Sequence, residues 1–189
     1  MPRRDGPWRR MEHLSFEERL ANDGIFQAHW YTLVAERLAH GKGILDVGAG
    51  SGYGMGILRV HGAKEVHGVD PFPLRVDVSS IPLAKLGTGA WDGVIACDVI
   101  EHVEQDLAFL LELERLAREW VFISTPNWNV SRCGNEFHVR EYTPEELDAL
   151  LAGRDCLFFS SDDNHKVQQI GTLREATTCF GVLIHKRSA

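Results

Sequence analysis

A short apolar run, Ile44-Leu45-Asp46-Val47, leads directly into Gly48-Ala49-Gly50-Ser51-Gly52 and then into a helical pattern from about Tyr53 to His61. Glycines at alternate positions between a strand and a helix permit a tight turn and let backbone come close to a ligand. In an open α/β sheet such turns lie beyond the carboxyl ends of the strands, where ligands bind. The turn also restricts the ligand. A dinucleotide fingerprint needs glycine at position 53, which is Tyr53, and a phosphate loop needs a Gly-Lys-Ser/Thr that is absent. The loop is therefore not built around a phosphate. The next strand, Glu65 to Val69, ends in Asp70, 20 positions after Gly50, where a carboxylate can accept both hydroxyls of a ribose. Asp46, at the start of the loop, can hold a cationic amine directly or through water.

The rest of the chain repeats this alternation. Strands are expected at Trp91 to Cys97, Trp120 to Ser124, Cys156 to Ser160 and Cys179 to Lys186. An amphipathic helix is expected over Glu104 to Arg118, with Leu107, Leu110, Leu111 and Leu116 on one side. Thr143-Pro144-Glu145-Glu146 has the cap, the first-turn proline and the glutamate of a helix start. Alternating strands and helices imply an α/β fold, a single Rossmann-like doubly wound sheet, mostly parallel with an antiparallel last strand. Between Asp70 and a short third strand at Val76-Asp77-Val78 lie only five residues, Pro71 to Arg75. A parallel crossover needs about a dozen, so the helix between the second and third strands is shortened or missing. Upstream, residues 1–14 read as a mobile basic leader. Residues 15–42 read as two helices, one opening on the Ser15 and Glu18 capping spacing and one from about Ile25 to Ala39. Residues 43–189 form the main domain.

Composition narrows the function classes. The chain has 189 residues, 44% hydrophobic and 25% charged, which is ordinary for one globular domain. No apolar run approaches the roughly 20 residues of a membrane span, so no membrane partner is expected. The N-terminal MPRRDGPWRR does not read as a secretory signal. The four cysteines form no CxxC pair, which suits reduced thiols in a cytoplasmic protein. A formal net charge of −7 makes long nucleic acid an unsuited partner.

ILDVGAGSGYG, VHGVD and WDGVIACDVIEHV together resemble, in order and spacing, three motifs of the class I S-adenosylmethionine-dependent methyltransferases. The resemblance runs from about Gly43 to Leu151 and more loosely through the final hairpin. It implies a cofactor, S-adenosylmethionine, with S-adenosylhomocysteine as product. It implies that Gly48, Gly50 and Gly52 frame the methionine part and that Asp70 binds the ribose. Asp77 or Val78 would lie near the adenine, a point the missing helix puts in question. Asp46, Ala49, Pro71, Cys97 and Asp98 complete the expected cofactor site. In this family the N-terminal helices cover the active site, so Phe26, Trp30 or Tyr31 could reach substrate, although core packing is the stronger expectation.

A second cluster follows the fourth strand. Asp98, Glu101 and His102 fall at i, i+3 and i+4, on one side of a turn or helix start. His138, in FHVREYTPEEL, leaves the same edge of the sheet. Three readings stand. Glu101 and His102 brace the loop; or His138 or His102 is a general base for an acceptor hydroxyl; or a metal binds. For the last, Asp98, Glu101, His102 and His138 resemble the site of the small-RNA terminal 2′-O-methyltransferases, where a metal would lower a hydroxyl pKa. Such a donor set suits Zn²⁺ or Mn²⁺ better than Mg²⁺. Arg132 and Arg140 could hold an anionic group, and Trp128 could line the acceptor pocket. FHVREYTPEEL also resembles a segment of bacterial methyltransferases that act on small molecules, sugars or lipid-linked intermediates. The expected activity is therefore O-methylation of such a small-molecule acceptor, with His138, His102 and Glu101 as catalytic residues. The alternatives are metal-dependent RNA ribose 2′-O-methylation and a non-catalytic cofactor-binding partner subunit. A chain this small has no separate substrate domain, and a second copy, as a homodimer, could complete its pocket.

Overall fold

The computed structural model describes Ser15 and residues 27–132 and 134–186. The basic leader, the first N-terminal helix, Phe26 and Cys133 lie outside the described residues. Strands β1 (Gly43–Val47), β2 (Glu65–Val69), β3 (Val78–Ser79), β4 (Trp91–Cys97), β5 (Ala117–Pro126), β6 (Asp155–Ser161), β7 (Val167–Ile170) and β8 (Cys179–His185) form one sheet. Its 8 strands run in the order β3-β2-β1-β4-β5-β8-β6-β7. The pairings from β3 to β5 are parallel, and β5 with β8, β8 with β6 and β6 with β7 are antiparallel. This is the expected α/β sheet, with β7 added at its far edge.

Strand periodicity of two sorts the side chains onto two faces. Leu45, Val47, Val94, Ala96, Val121 and Ile123 enter one core, with Leu110, Leu113 and Leu116 of helix α3 (Asp106–Leu116). Ile44, Ile95 and Phe122 face the other way, against Trp30 and Val34 of helix α1 (Ala28–Val34) and Met55 and Leu58 of helix α2 (Tyr53–Val60). The expected face of α3 is corrected here. Leu107 and Leu111 are 49% and 52% exposed, and Leu113 turns inward instead. Both faces of the helix carry leucine, so their number could not select the buried one.

The connection between β2 and β3 carries no helix. Pro71 and Pro73 each lack a backbone donor, which disfavours one. The segment turns back instead, and the Leu74 N–H donates to the Gly50 carbonyl at 3.3 Å. Pairing starts only at Gly68↔Val78, so the third strand is Val78–Ser79 and not Val76 to Val78. Helix α4 (Trp128–Ser131) is an unanticipated single turn capped by Asn127. Helix α5 (Pro144–Leu150) opens with the expected reciprocal cap, in which the Thr143 N–H donates to Glu146 at 2.8 Å and the Glu146 N–H to Thr143 Oγ1 at 3.3 Å. No helix among the described residues is long and apolar enough to cross a membrane.

Candidate active site

The glycine loop joins β1 to α2 through left-handed backbone at Gly48 (φ 75°), Gly50 (φ 48°) and Gly52 (φ 71°). Such angles favour glycine. Space adds a second demand at position 48, where a Cβ would stand 2.4 Å from Val99 Cγ2. The β1 turn therefore lies directly against the β4 turn. Gly48 and Ala49 donate to the Val69 carbonyl at 2.8 and 3.2 Å, which ties the loop to the end of β2. Asp70 stands there with both carboxylate oxygens accepting backbone donors, Gly50 N–H at 3.0 Å and Phe72 N–H at 2.7 Å. Each oxygen keeps a further lone pair for a ligand.

Asp46 is fully buried at the end of β1, and Tyr31 Oη donates to its Oδ1 at 2.8 Å. Burial, and then the Asp46 charge, push the Tyr31 hydroxyl well above its usual pKa. The Cys97 thiol at the end of β4 is raised too, by burial first and Asp98 second, so it stays protonated. Asp98 has φ 53°, an uncommon value for a residue with a side chain. Its carboxylate accepts from Ser124 Oγ at 2.5 Å and from Gln27 Nε2 at 3.1 Å. Val78 is buried behind Gly52, and Pro71 is exposed beside Asp70. The Asp77 carboxylate is taken up by Arg75 at 2.9 Å and Arg59 at 3.4 Å.

A 3₁₀ turn, Ile100–His102, carries the second cluster. Glu101, His102 and His138 bring ligand atoms within 4.8 Å of one another. The His102 and His138 rings meet edge-on with centroids 4.9 Å apart. Asp98 is not in this group, because its carboxylate is turned to Ser124 and Gln27. Position 138 is held by backbone, since the Val139 and Arg140 N–H groups donate to the Glu101 carbonyl at 2.8 and 3.1 Å. His102 Nδ1 meets the Phe137 carbonyl at 2.9 Å and His138 Nδ1 meets Glu141 Oε1 at 2.5 Å. Both partners can only accept, so each Nδ1 carries a proton and each Nε2 presents a lone pair when the ring is neutral. Ser131 Oγ in turn donates to Glu141 Oε2.

Glu101 is the anomaly of the site. It is fully buried, and neither carboxylate oxygen has a hydrogen-bond partner among the described residues. Burial, with the Asp98 charge second, raises its pKa well above the usual carboxylate range, and its own backbone N–H and the Thr125 hydroxyl, near it but outside hydrogen-bond geometry, moderate the shift. His102 is shifted down, by burial first and by His138 second, toward the neutral ring.

Around the rim, Arg140 is bound to Asp106 and lies over the Tyr142 ring at 4.6 Å. It is therefore less available to an anion than expected. Arg132 is exposed, lies 5.7 Å from the Trp128 ring, and forms no ion pair among the described residues. Sequence reasoning missed Gln27, Ser124 and the Tyr31 link to Asp46. Ser124 left a weak signal, a hydroxyl ending an apolar run, but Gln27 left none because its contact is wholly tertiary.

Comparison with known proteins fits this arrangement. A family model described as a methyltransferase domain matches residues 17–180. The tRNA U34 carboxymethyltransferase of Colwellia psychrerythraea is 30% identical over 139 residues, which are 58% of this chain and 43% of that protein. The chain thus spans less than half of that relative's length. The fold is similar to a S-adenosylmethionine-dependent methyltransferase of Thermotoga maritima, described as a possible histamine N-methyltransferase. The TM-score is 0.67 at 15% identity, over 94% of this chain and all of that one (100%). It is also similar to the small RNA methyltransferase HEN1, with TM-score 0.64 and 17% identity, over 86% of this chain and 25% of that one. At such identities these two likenesses concern the fold alone.

Proposed function

We propose that this chain, which belongs to the methyltransferase-domain family and is an S-adenosylmethionine-dependent methyltransferase, methylates a hydroxyl oxygen of a small acceptor with His138 as base. The cofactor supplies an electrophilic methyl group. The acidic ends of β1, β2 and β4 suit it: Asp70 and Asp98 form no ion pair among the described residues, and such acids match a ligand that bears ammonium, sulfonium and ribose hydroxyls. In this reading Asp46 meets the ammonium group and Asp70 the ribose, while Gly48, Ala49, Gly50, Gly52, Pro71, Val78, Cys97 and Asp98 enclose the rest. Asp77 is not needed at the adenine, since two arginines already claim its carboxylate.

One observation carries the choice of oxygen: the His138–Glu141 contact at 2.5 Å. Glu141 fixes the tautomer, so Nε2 can take the acceptor's proton, and its charge stabilises the imidazolium that forms. Ser131 holds Glu141 in turn. His102, kept toward neutral by burial and by His138, orders the site without competing for the proton. The acceptor would enter past Trp128 and Arg132. The test is incubation of cell-extract fractions with cofactor labelled in the methyl group, followed by mass spectrometry of the labelled product. Label found only on nitrogen or carbon would overturn the reading.

A second reading rests on Glu101. A buried carboxylate without a hydrogen bond beside two imidazoles that each present Nε2 is a suitable donor set for a divalent cation. Glu101, His102 and His138 would hold it, with Phe137 and Glu141 orienting the rings from behind. The ion would acidify one of two neighbouring hydroxyls, as on a ribose or a sugar. Activity that survives exhaustive chelation eliminates this reading and leaves the base. The tRNA-directed relative adds a nucleoside to the acceptors worth assaying, against the net charge of −7.

A further inference from the structure

We infer that Tyr31 is a positioning residue for the cofactor, its hydroxyl holding the Asp46 carboxylate where that group meets the ammonium of S-adenosylmethionine. This rests on the assignment of Asp46 to the ammonium made above.

Helix α1 and the Gln27 that precedes it as N-cap approach the sheet with Gln27 and Tyr31, four positions apart, on one side. Each reaches a different acid. Tyr31 Oη donates to Asp46 at 2.8 Å, and Gln27 Nε2 donates to Asp98 at 3.1 Å. The two acids end neighbouring parallel strands, since β1 pairs with β4 at Asp46↔Ile95. A single helix face thus engages both carboxylates beside the glycine loop. Both donors are neutral. A lysine or arginine in their place would bring a counter-charge against an ammonium ligand, whereas a phenol or an amide donates a hydrogen bond without adding one. The Tyr31 hydroxyl stays protonated because burial and Asp46 raise its pKa, so it remains a donor.

Packing shows that the ring position is built for. Tyr31 is 7% exposed, and its ring lies against Gly54 in the first turn of α2. A Cβ at residue 54 would stand 2.1 Å from Tyr31 Cε1. Glycine inside a helix is destabilising relative to alanine. Here it admits the ring between the loop helix and Asp46. A tyrosine that only filled core space would have no need to aim its hydroxyl at a fully buried carboxylate.

The experiment compares two ligands by calorimetric titration. S-adenosylhomocysteine carries the ammonium, and 5′-methylthioadenosine keeps the adenosine and sulfur but lacks the amino acid end. Tyr31→Phe retains the ring against Gly54 and removes the hydroxyl. It should weaken S-adenosylhomocysteine about tenfold, the loss of one hydrogen bond to a charged group, and leave methylthioadenosine within about twofold. Gly54→Ala, which forces the ring away from Asp46, should show the same selectivity. In an Asp46→Asn background Tyr31→Phe should add less than about twofold, because the two act as one unit. Equal losses for both ligands would make Tyr31 a packing residue and overturn the inference, as would no loss for either. If Asp46→Asn itself leaves S-adenosylhomocysteine binding intact, the ammonium assignment is what fails, and the role of Tyr31 falls with it.

Discussion

The proposed cofactor side and the proposed acceptor side of this site are built from different materials. On the cofactor side the geometry comes mostly from backbone, with three left-handed glycines, N–H groups on the Val69 carbonyl and Asp70 clasped by two more. On the acceptor side it comes from side chains, with Glu101 brought beside the sequence-distant His138 and Glu141, three positions on, holding His138 from behind. The first arrangement can be encoded by a short contiguous motif. The second depends on the loop from Asn127 to Tyr142 closing onto Glu101 through the Val139 and Arg140 N–H groups. Cofactor binding should thus tolerate changes that abolish transfer, and the two sides should fail separately under mutation.

The sharpest separation is expected at His138. His138→Gln should lower kcat by on the order of 10²–10⁴, the usual range for general acid–base catalysis, with S-adenosylhomocysteine affinity unchanged in calorimetry. A parallel loss of cofactor affinity would show that the two sides are one unit. Asp70→Ala is the converse. It should weaken S-adenosylhomocysteine by roughly 10- to 100-fold, as two hydrogen bonds to a ribose are lost. The pH profile of transfer at saturating cofactor should stay where it was.

Glu101 tests stability rather than turnover. Its folded pKa is raised, so the folded state binds a proton that the unfolded state has released. Below the ordinary glutamate pKa of about 4.3 both states are protonated and nothing is lost. As pH rises from there through the folded pKa, stability falls, and above it the full penalty remains. In chelator-treated protein Glu101→Gln should therefore melt higher than the wild type at pH 8, at roughly 2–4 °C for each kcal/mol of ionisation penalty removed. The gap should close toward pH 4. A gap that does not vary with pH would refute a penalty due to ionisation. Ser131→Ala, which removes the hydroxyl behind Glu141, should have the smallest effect, about fivefold on kcat for one hydrogen bond of about 1 kcal/mol. An effect as large as that of His138→Gln would mean that Ser131 touches the reacting groups itself.

Much of the cofactor half could be read from residues in order. The strand–glycine–helix pattern and the Thr143 cap arise from contacts within one or two turns of chain, and Asp70 follows Gly50 after a single helix and strand, twenty positions on. The acceptor half was legible only as a set of residue types. Spacing grouped Asp98 with Glu101 and His102, yet Asp98 turns to Ser124 and Gln27, because its left-handed backbone sends the side chain away from the 3₁₀ turn. Strand β7 escaped notice because Val167–Ile170 is short, with two glutamines at its centre, and shows little apolar alternation. The face of α3 was misjudged because leucines occur all round it.

What the sequence determined alone is the α/β class, the glycine turn and a helix after Asp70 that is shortened or missing. Backbone sterics, proline chemistry and chain length act locally and leave few alternatives. Which carboxylate meets which donor was decided by tertiary structure. Tyr31 reaches Asp46, Gln27 reaches Asp98 and Glu101 is left beside two histidines. Burial acts on pairs that no spacing rule connects, and a buried charge takes its character from whichever neighbours packing supplies.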